Sequence, residues 1–184
     1  MSDRPSMDES IFLVAKLWAS RSTCSRLQVG AVLARGGRVL STGYNGAPAG
    51  LPHCEHQDGD GPCATAVHAE ANALISAARF GTRVERGSLY VTHSPCRRCA
   101  GLIINSGISE VVYVEPFTSM SGAEMLRDGG VALRQWVPVV HDDPVPVARA
   151  ARDDEAAAIV SSAISTYLDA RKLVEAVKEA GDDR

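Results

Sequence analysis

Apolar and polar positions along the chain follow two periods, and the period changes at residues that break regular structure. Over residues 8–20, DESIFLVAKLWAS, the side chains of Ile11, Leu13, Val14, Leu17 and Trp18 recur close to helical spacing. Asp8 or Ser10 stands where a cap for that helix is expected. VGAVLAR and RVLSTGYN are β-branched runs separated by Gly36-Gly37, which predicts two antiparallel strands and a tight hairpin. Residues 46–64, GAPAGLPHCEHQDGDGPCA, are dense in Gly, Pro and Asp and too long for a featureless loop in a compact domain, so something should tie them down. AEANALISAARFG then predicts a helix with a glycine stop, SLYVTHS a strand, RRCAGLIINSG a second such helix and EVVYVEP another strand. GAEMLRDGG adds a short helix and VALRQW a last strand.

Strands alternating with helices imply parallel pairing through crossover helices. The expected fold is a three-layer α/β/α domain around a mixed five-stranded sheet opened by the hairpin. HDDPVPVARAARDD reads as a linker, and beyond it Ile159, Ile164, Leu168, Leu173 and Val177 fall at roughly helical spacing. Residues 1–140 are therefore assigned to the domain and 141–184 to a linker and C-terminal helical appendage.

Composition narrows the function. A chain of 184 residues with 45% hydrophobic content supports one ordinary core. The opening MSDRPSMDES is polar, and no apolar run approaches the roughly 20 residues that cross a bilayer, so a soluble cytoplasmic protein without membrane contact is expected. A formal charge of -3 gives no general attraction to long nucleic acid, and a small substrate fits more easily. Five cysteines in such a chain point to metal or catalytic chemistry rather than disulfides.

Cys96 and Cys99, in SPCRRC, follow a proline at the expected start of a helix, where the N-terminal dipole favours the thiolates that zinc needs. A CxxC by itself would equally suit a redox pair. His68, at the junction between the long loop and a helix, changes the balance, because one imidazole with two thiolates leaves a tetrahedral zinc one open position. Glu70, by itself a solvated first-turn acid, becomes a carboxylate placed to take a proton from water in that position. Histidine, glutamate and PCxxC in this order form the zinc nucleobase-deaminase signature.

Through HAE at 68–70 and PCRRC at 95–99 the chain resembles the cytidine and deoxycytidylate deaminase superfamily. RSTCSRLQVGAV at 21–32, GYNGAPAG at 43–50 and SGISEVVY at 106–113 look like its deoxycytidylate (dCMP) deaminases and the related late-competence proteins. The similarity covers roughly residues 8–135. It implies hydrolysis of dCMP to dUMP and ammonia, with Glu70 carrying a proton first to ring N3 and then to the departing amino group. Another or modified cytosine nucleotide or nucleoside, or a catalytically silent zinc-binding accessory role, is the alternative.

The same resemblance implies that Asn45 contacts the sugar hydroxyl and that the backbone around Ala69 and Ser94 reads the base. GYNG alone reads first as a tight turn after a strand, and a turn residue can still bind substrate. Arg26 is a candidate for the 5′-phosphate, since a guanidinium makes paired hydrogen bonds to phosphate oxygens. Phe117 stands where many dCMP deaminases carry a tyrosine, and it can stack on a nucleotide but cannot donate a hydroxyl. The resemblance also implies dCTP and dTTP as effectors and a homo-oligomer, with a hexamer favoured.

Cys24 precedes the first strand and the long loop leaves the second, so Cys24, Cys54, His56 and Cys63 can meet. Four such ligands without a catalytic acid describe a closed structural zinc site. Small buried cysteines beside loop histidines are the alternative. Some dCMP deaminases carry a second zinc near these positions, which favours the metal, and a bound ion would supply the tie that the long loop lacks. Two zinc ions, one catalytic and one structural, are the cofactors expected.

Overall fold

The helix α1 (Met7–Ala19) is capped by Ser6 rather than by Asp8 or Ser10: the Ser6 hydroxyl oxygen accepts a hydrogen bond from the Glu9 N–H at 3.2 Å. The computed structural model describes residues 5–55, 63, 65–117 and 121–137, and the expected linker and appendage at 141–184 lie outside them. The buried face of α1 also differs from the expected one. Ile11, Phe12, Ala15 and Ala19 are buried, whereas Leu13 is 37% and Leu17 62% exposed. The cause is close approach to the sheet: a Cβ on Gly30 would lie 1.9 Å from the Ala15 carbonyl oxygen, so the contacting face must be small.

The hairpin forms as its pattern predicts. Strands β1 (Gly30–Arg35) and β2 (Arg38–Tyr44) pair antiparallel, with a register shift between Leu33 and Ala34. Gly36 and Gly37 turn the corner at φ of 56° and 76°, the left-handed region a two-residue loop demands. Helix α2 (Ala69–Arg79) leads to β3 (Ser88–His93), α3 (Arg97–Asn105) to β4 (Glu110–Glu115), and α4 (Ser121–Asp128) to β5 (Ala132–Gln135). The sheet order is β2-β1-β3-β4-β5, with β1 antiparallel to both neighbours and the remaining pairs parallel.

Alternating strand residues divide the core into two layers, giving the three-layer arrangement expected. Ala31, Leu33, Leu89, Val91 and Val111 pack with α2, α3 and α4. Val32, Ala34, Tyr90 and Val112 pack with α1. On that second face Phe12 stacks on Trp136 at 4.6 Å and meets Tyr90 edge-on at 5.4 Å. Asp8 joins the same face to β5, accepting hydrogen bonds from the Tyr90 hydroxyl at 2.9 Å and from Arg134 at 2.8 Å. Burial opposes ionisation of Asp8, but those two donors outweigh it and hold its carboxyl below the usual range. No helix of the described residues is long and apolar enough to cross a membrane.

Because β2 and β3 are both antiparallel to β1, they point the same way. The segments that leave them therefore deliver the starts of α2 and α3 to one end of the sheet.

Candidate active site

Two helix starts meet at that end, and both are capped by residues that make poor caps. His68 is the N-cap of α2 and Cys96 of α3, each in extended backbone and neither making a side-chain capping bond. Ser, Thr, Asp or Asn would ordinarily fill such positions. With no capping role, the imidazole and the thiol are directed elsewhere. Cys99, one turn into α3, is buried, and Cys96 is half-buried.

The three side chains converge. His68 Nδ1 lies 3.5 Å from Cys96 Sγ and 3.4 Å from Cys99 Sγ, and all three candidate ligand atoms fall within 4.8 Å of one another. Tetrahedral zinc with Zn–N and Zn–S bonds of usual length separates an imidazole nitrogen from a thiolate by about 3.6 Å. One nitrogen and two sulfurs at these distances therefore fit a tetrahedral ion with a fourth position left over.

The electrostatics suit a cation as well. Hydrogen bonding from the Cys99 thiol, followed by that from His68, lowers the Cys96 thiol to about 3, so Cys96 is a thiolate at neutral pH. Cys99 is pushed strongly up by the neighbouring Cys96 sulfur and then by burial. Such a pair needs a positive ion before both sulfurs ionise. The Cys96 sulfur raises His68 despite the opposing effects of burial and Arg98.

Glu70 sits in the first turn of α2 and is only 4% exposed. Burial raises its carboxyl above the usual range, with the Cys96 charge adding to the shift and His68 opposing it. A buried carboxyl beside an open metal position is equipped to carry protons.

The other residues expected to contact substrate differ in burial and in their partners. Asn45, just beyond β2, is buried, and its side chain is largely committed to the chain itself. Its Oδ1 accepts from the Val29 N–H at 2.8 Å, and its Nδ2 donates to the Leu27 carbonyl at 2.7 Å. Arg26 is exposed on the loop that ends in these two residues. Ala69 is fully buried at the start of α2. Ser94 is buried beyond β3: its N–H donates to the Glu115 carbonyl, and its hydroxyl oxygen accepts from the Phe117 N–H, each at 2.8 Å. Phe117 is thereby held beside the segment that enters α3, and its side chain is half-buried.

A second cluster gathers Cys24, Cys54 and Cys63, whose sulfurs also lie within 4.8 Å of one another. Cys24 and Cys54 form an isolated parallel bridge, so the long loop is drawn back to the segment before β1. Burial, then the Cys63 and Cys24 sulfurs, push the Cys54 thiol up to about 11. Three crowded thiols again suit a soft cation. His56, the expected fourth ligand, lies outside the described residues.

Asn72 carries a structural role that its sequence position does not announce. Its Nδ2 donates to the Tyr44 carbonyl at 2.8 Å and lies 3.4 Å from the Val67 carbonyl, joining α2 to the end of β2. The only signal in the sequence is an asparagine inside a helix, where its intrinsic preference is poor.

The family model for the cytidine and deoxycytidylate deaminase zinc-binding region matches residues 5–115. The ComE operon protein 2 of Bacillus subtilis (strain 168) is 38% identical over 137 residues, covering 72% of each chain. The deoxycytidylate deaminase of Schizosaccharomyces pombe is 40% identical over 149 residues, covering 73% of this chain and 45% of that one. Among solved structures, the dCMP deaminase of cyanophage S-TIM5 in complex with dCMP and dUMP superposes with a TM-score of 0.68 at 29% identity. That likeness covers 73% of this chain and 100% of the phage enzyme.

Proposed function

This chain belongs to the cytidine and deoxycytidylate deaminase family, and on that footing we propose that it hydrolyses dCMP to dUMP and ammonia. The observation that carries the proposal is the meeting of His68, Cys96 and Cys99 with buried Glu70 at one end of the sheet. His68, Cys96 and Cys99 would hold the zinc, which when bound supplies a Lewis acid that acidifies water in the remaining position towards a pKa of about 7.

The chain's own groups do the rest. Glu70 accepts the proton released by that water and delivers it to N3 of the cytosine ring as the water oxygen bonds to C4. It then takes the remaining proton of that hydroxyl and passes it to the amino group, so that the C4–N bond breaks, ammonia departs and the C4 carbonyl of uracil is left. Burial suits the exchange, because a carboxylate raised above its ordinary range takes a proton from water more readily than a solvated one and so comes closer in proton affinity to the groups it must serve. Ser94 has its N–H engaged by Glu115, so a base edge read there meets the Ser94 carbonyl, which accepts from the exocyclic amino group. At Asn45, one Nδ2 hydrogen serves Leu27, which leaves the second for a sugar hydroxyl. Phe117 packs beside the nucleotide and Arg26 approaches its phosphate.

The second cluster, Cys24, Cys54 and Cys63 with His56 as fourth ligand, is assigned a structural zinc. The bridge between Cys24 and Cys54 supports that role, because the cluster closes the long loop onto the segment leading into β1. A cytoplasmic homo-oligomer, a hexamer in the favoured form, regulated by dCTP and dTTP completes the proposal. Ammonia release from dCMP, dCTP, cytidine and a tRNA, measured with and without dTTP, tests it: turnover of dCMP above the others is expected, and silence on dCMP with the zinc sites filled refutes it.

A further inference from the structure

Helix α2 is docked on β2 through backbone-level contacts, and each lies within one turn of the proposed chemistry. A Cβ on Gly43 would stand 2.3 Å from the Ala69 carbonyl oxygen and 2.4 Å from the Ala73 nitrogen, so the helix lies directly on the strand. The Ser41 hydroxyl donates to the Ala73 carbonyl at 2.8 Å. Asn72 then bonds the Tyr44 carbonyl, the residue next to Asn45. On the helix side, the Asn72 N–H donates to the His68 carbonyl at 2.9 Å. Asn72 thus touches, one residue removed or directly, both the proposed sugar contact and the start of the helix carrying His68 and Glu70.

The Tyr44 carbonyl shows why this contact matters. Tyr44 stands opposite Gly30 in a non-hydrogen-bonded pair of the β1–β2 ladder, between the bonded pair Val29–Asn45 and the rest of the strand. Its carbonyl therefore faces away from β1 at the open edge of the sheet, while the Gly30 N–H donates to the Thr92 hydroxyl at 3.2 Å. Asn72 supplies Tyr44 with a donor from the helix at the point where the sheet does not. The last residue of β2 is therefore tied to α2, which couples the strand end that leads into Asn45 to the start of the helix carrying His68 and Glu70.

We propose that Asn72 is a positioning residue that fixes the distance between the sugar-hydroxyl contact at Asn45 and the reacting centre at Glu70, and so sets how strongly a 3′-hydroxyl promotes turnover. The proposal rests on the dCMP reading above. A loose link would let nucleotide and helix find separate optima, and a small misplacement of reacting atoms is costly in rate. The penalty falls on substrates held through the hydroxyl, and a nucleotide without one has less positioning to lose.

The test compares kcat/KM for dCMP and for 2′,3′-dideoxycytidine 5′-monophosphate in the wild type, N72D, N72A, N45A and the N45A/N72A double variant. N72D keeps the shape of the side chain and loses the donor. Zinc content and thermal unfolding are recorded for each. The expected result is a loss of about tenfold or more on dCMP in N72D and N72A, with a several-fold smaller loss on the dideoxy substrate. In the N45A background, removal of Asn72 should then cost clearly less than in the wild type. Equal losses on both substrates, additive losses in the double variant, or loss of zinc or of folded structure in both Asn72 variants would overturn it, because each makes Asn72 an ordinary packing residue. Wild-type silence on dCMP removes the substrate reading and this proposal together, whereas wild-type turnover with undiscriminating variants removes only the role of Asn72.

Discussion

Replacing Glu70 with glutamine separates metal holding from proton transfer at a single atom. The side chain is 4% exposed and is not one of the three converging donors, so the amide should occupy the same space without displacing His68, Cys96 or Cys99. Burial already disfavours the carboxylate, so the neutral amide removes a desolvation cost rather than adding one. Thermal stability should therefore stay level or rise slightly. The kinetic effect is of another size: positioned acid–base groups contribute about 10²- to 10⁴-fold, or roughly 3–5 kcal/mol of barrier. Glu70 serves twice in the proposed cycle, which places the expected loss of kcat towards the upper end. The assay is ammonia release from dCMP alongside metal analysis of the same preparation. A Glu70→Gln protein that keeps its zinc and more than about a tenth of wild-type turnover would refute the proton-carrying role, since a bystander acid loses only that much.

Three further outcomes follow from the geometry. Metal analysis should find two zinc ions per chain, falling to one in Cys63→Ser with a lower melting temperature and falling to one in Cys99→Ser with turnover abolished; a single zinc in the wild type would sink the second site. Asp8→Asn should cost about 1–2 kcal/mol at neutral pH by weakening the bonds to Tyr90 and Arg134. Because the Asp8 carboxyl lies below its unfolded value of about 3.9, that stability is present above this pH and lost as pH falls through the lowered native value; denaturant melts at pH 7 and pH 3 should show the two proteins converging in acid, and a constant gap would count against the linkage. Gly43→Ala should destabilise by about 1–3 kcal/mol and depress turnover further than stability alone explains, because the new methyl pushes on the helix that carries Glu70; unaltered kinetics in the folded variant would argue against rigid docking of α2.

Periodicity made the fold legible because each strand and helix carries its own pattern. The hairpin is written in Gly36-Gly37, and the parallel half in glycine-stopped helices between β-branched runs. The errors came where one element's choice depends on a distant one. Leu13 and Leu17 look like core residues, yet they face outward because Gly30, on another element, brings the backbone so close that only Ala15 and Ala19 fit. Asp8 resembles a cap and is instead drawn to Tyr90 and Arg134, leaving the capping to Ser6. Each partner is unremarkable by itself, and local propensity carries no record of their meeting.

The same division runs through the candidate site. Ligands announce themselves, since a cysteine and a histidine at helix N-caps are unusual residues in positions that serine or aspartate would stabilise better, by about 1 kcal/mol each. Giving up both caps makes sense only if another interaction satisfies those side chains, and a shared cation would do so for both helices at once. The groups proposed to aim the site are quieter. Asn45 and Asn72 bond the backbone carbonyls of Leu27 and Tyr44, which every sequence possesses, so nothing in the partner's identity marks the contact. The cluster of His68, Cys96 and Cys99 can therefore be read from side-chain chemistry, whereas the placement of Asn45 relative to Glu70 depends on how α2 lies on β2. Substrate preference within a family that shares the HAE and PCxxC elements should be sought in that second kind of contact, where sequence changes are small and their geometric consequences are carried directly to the reacting atoms.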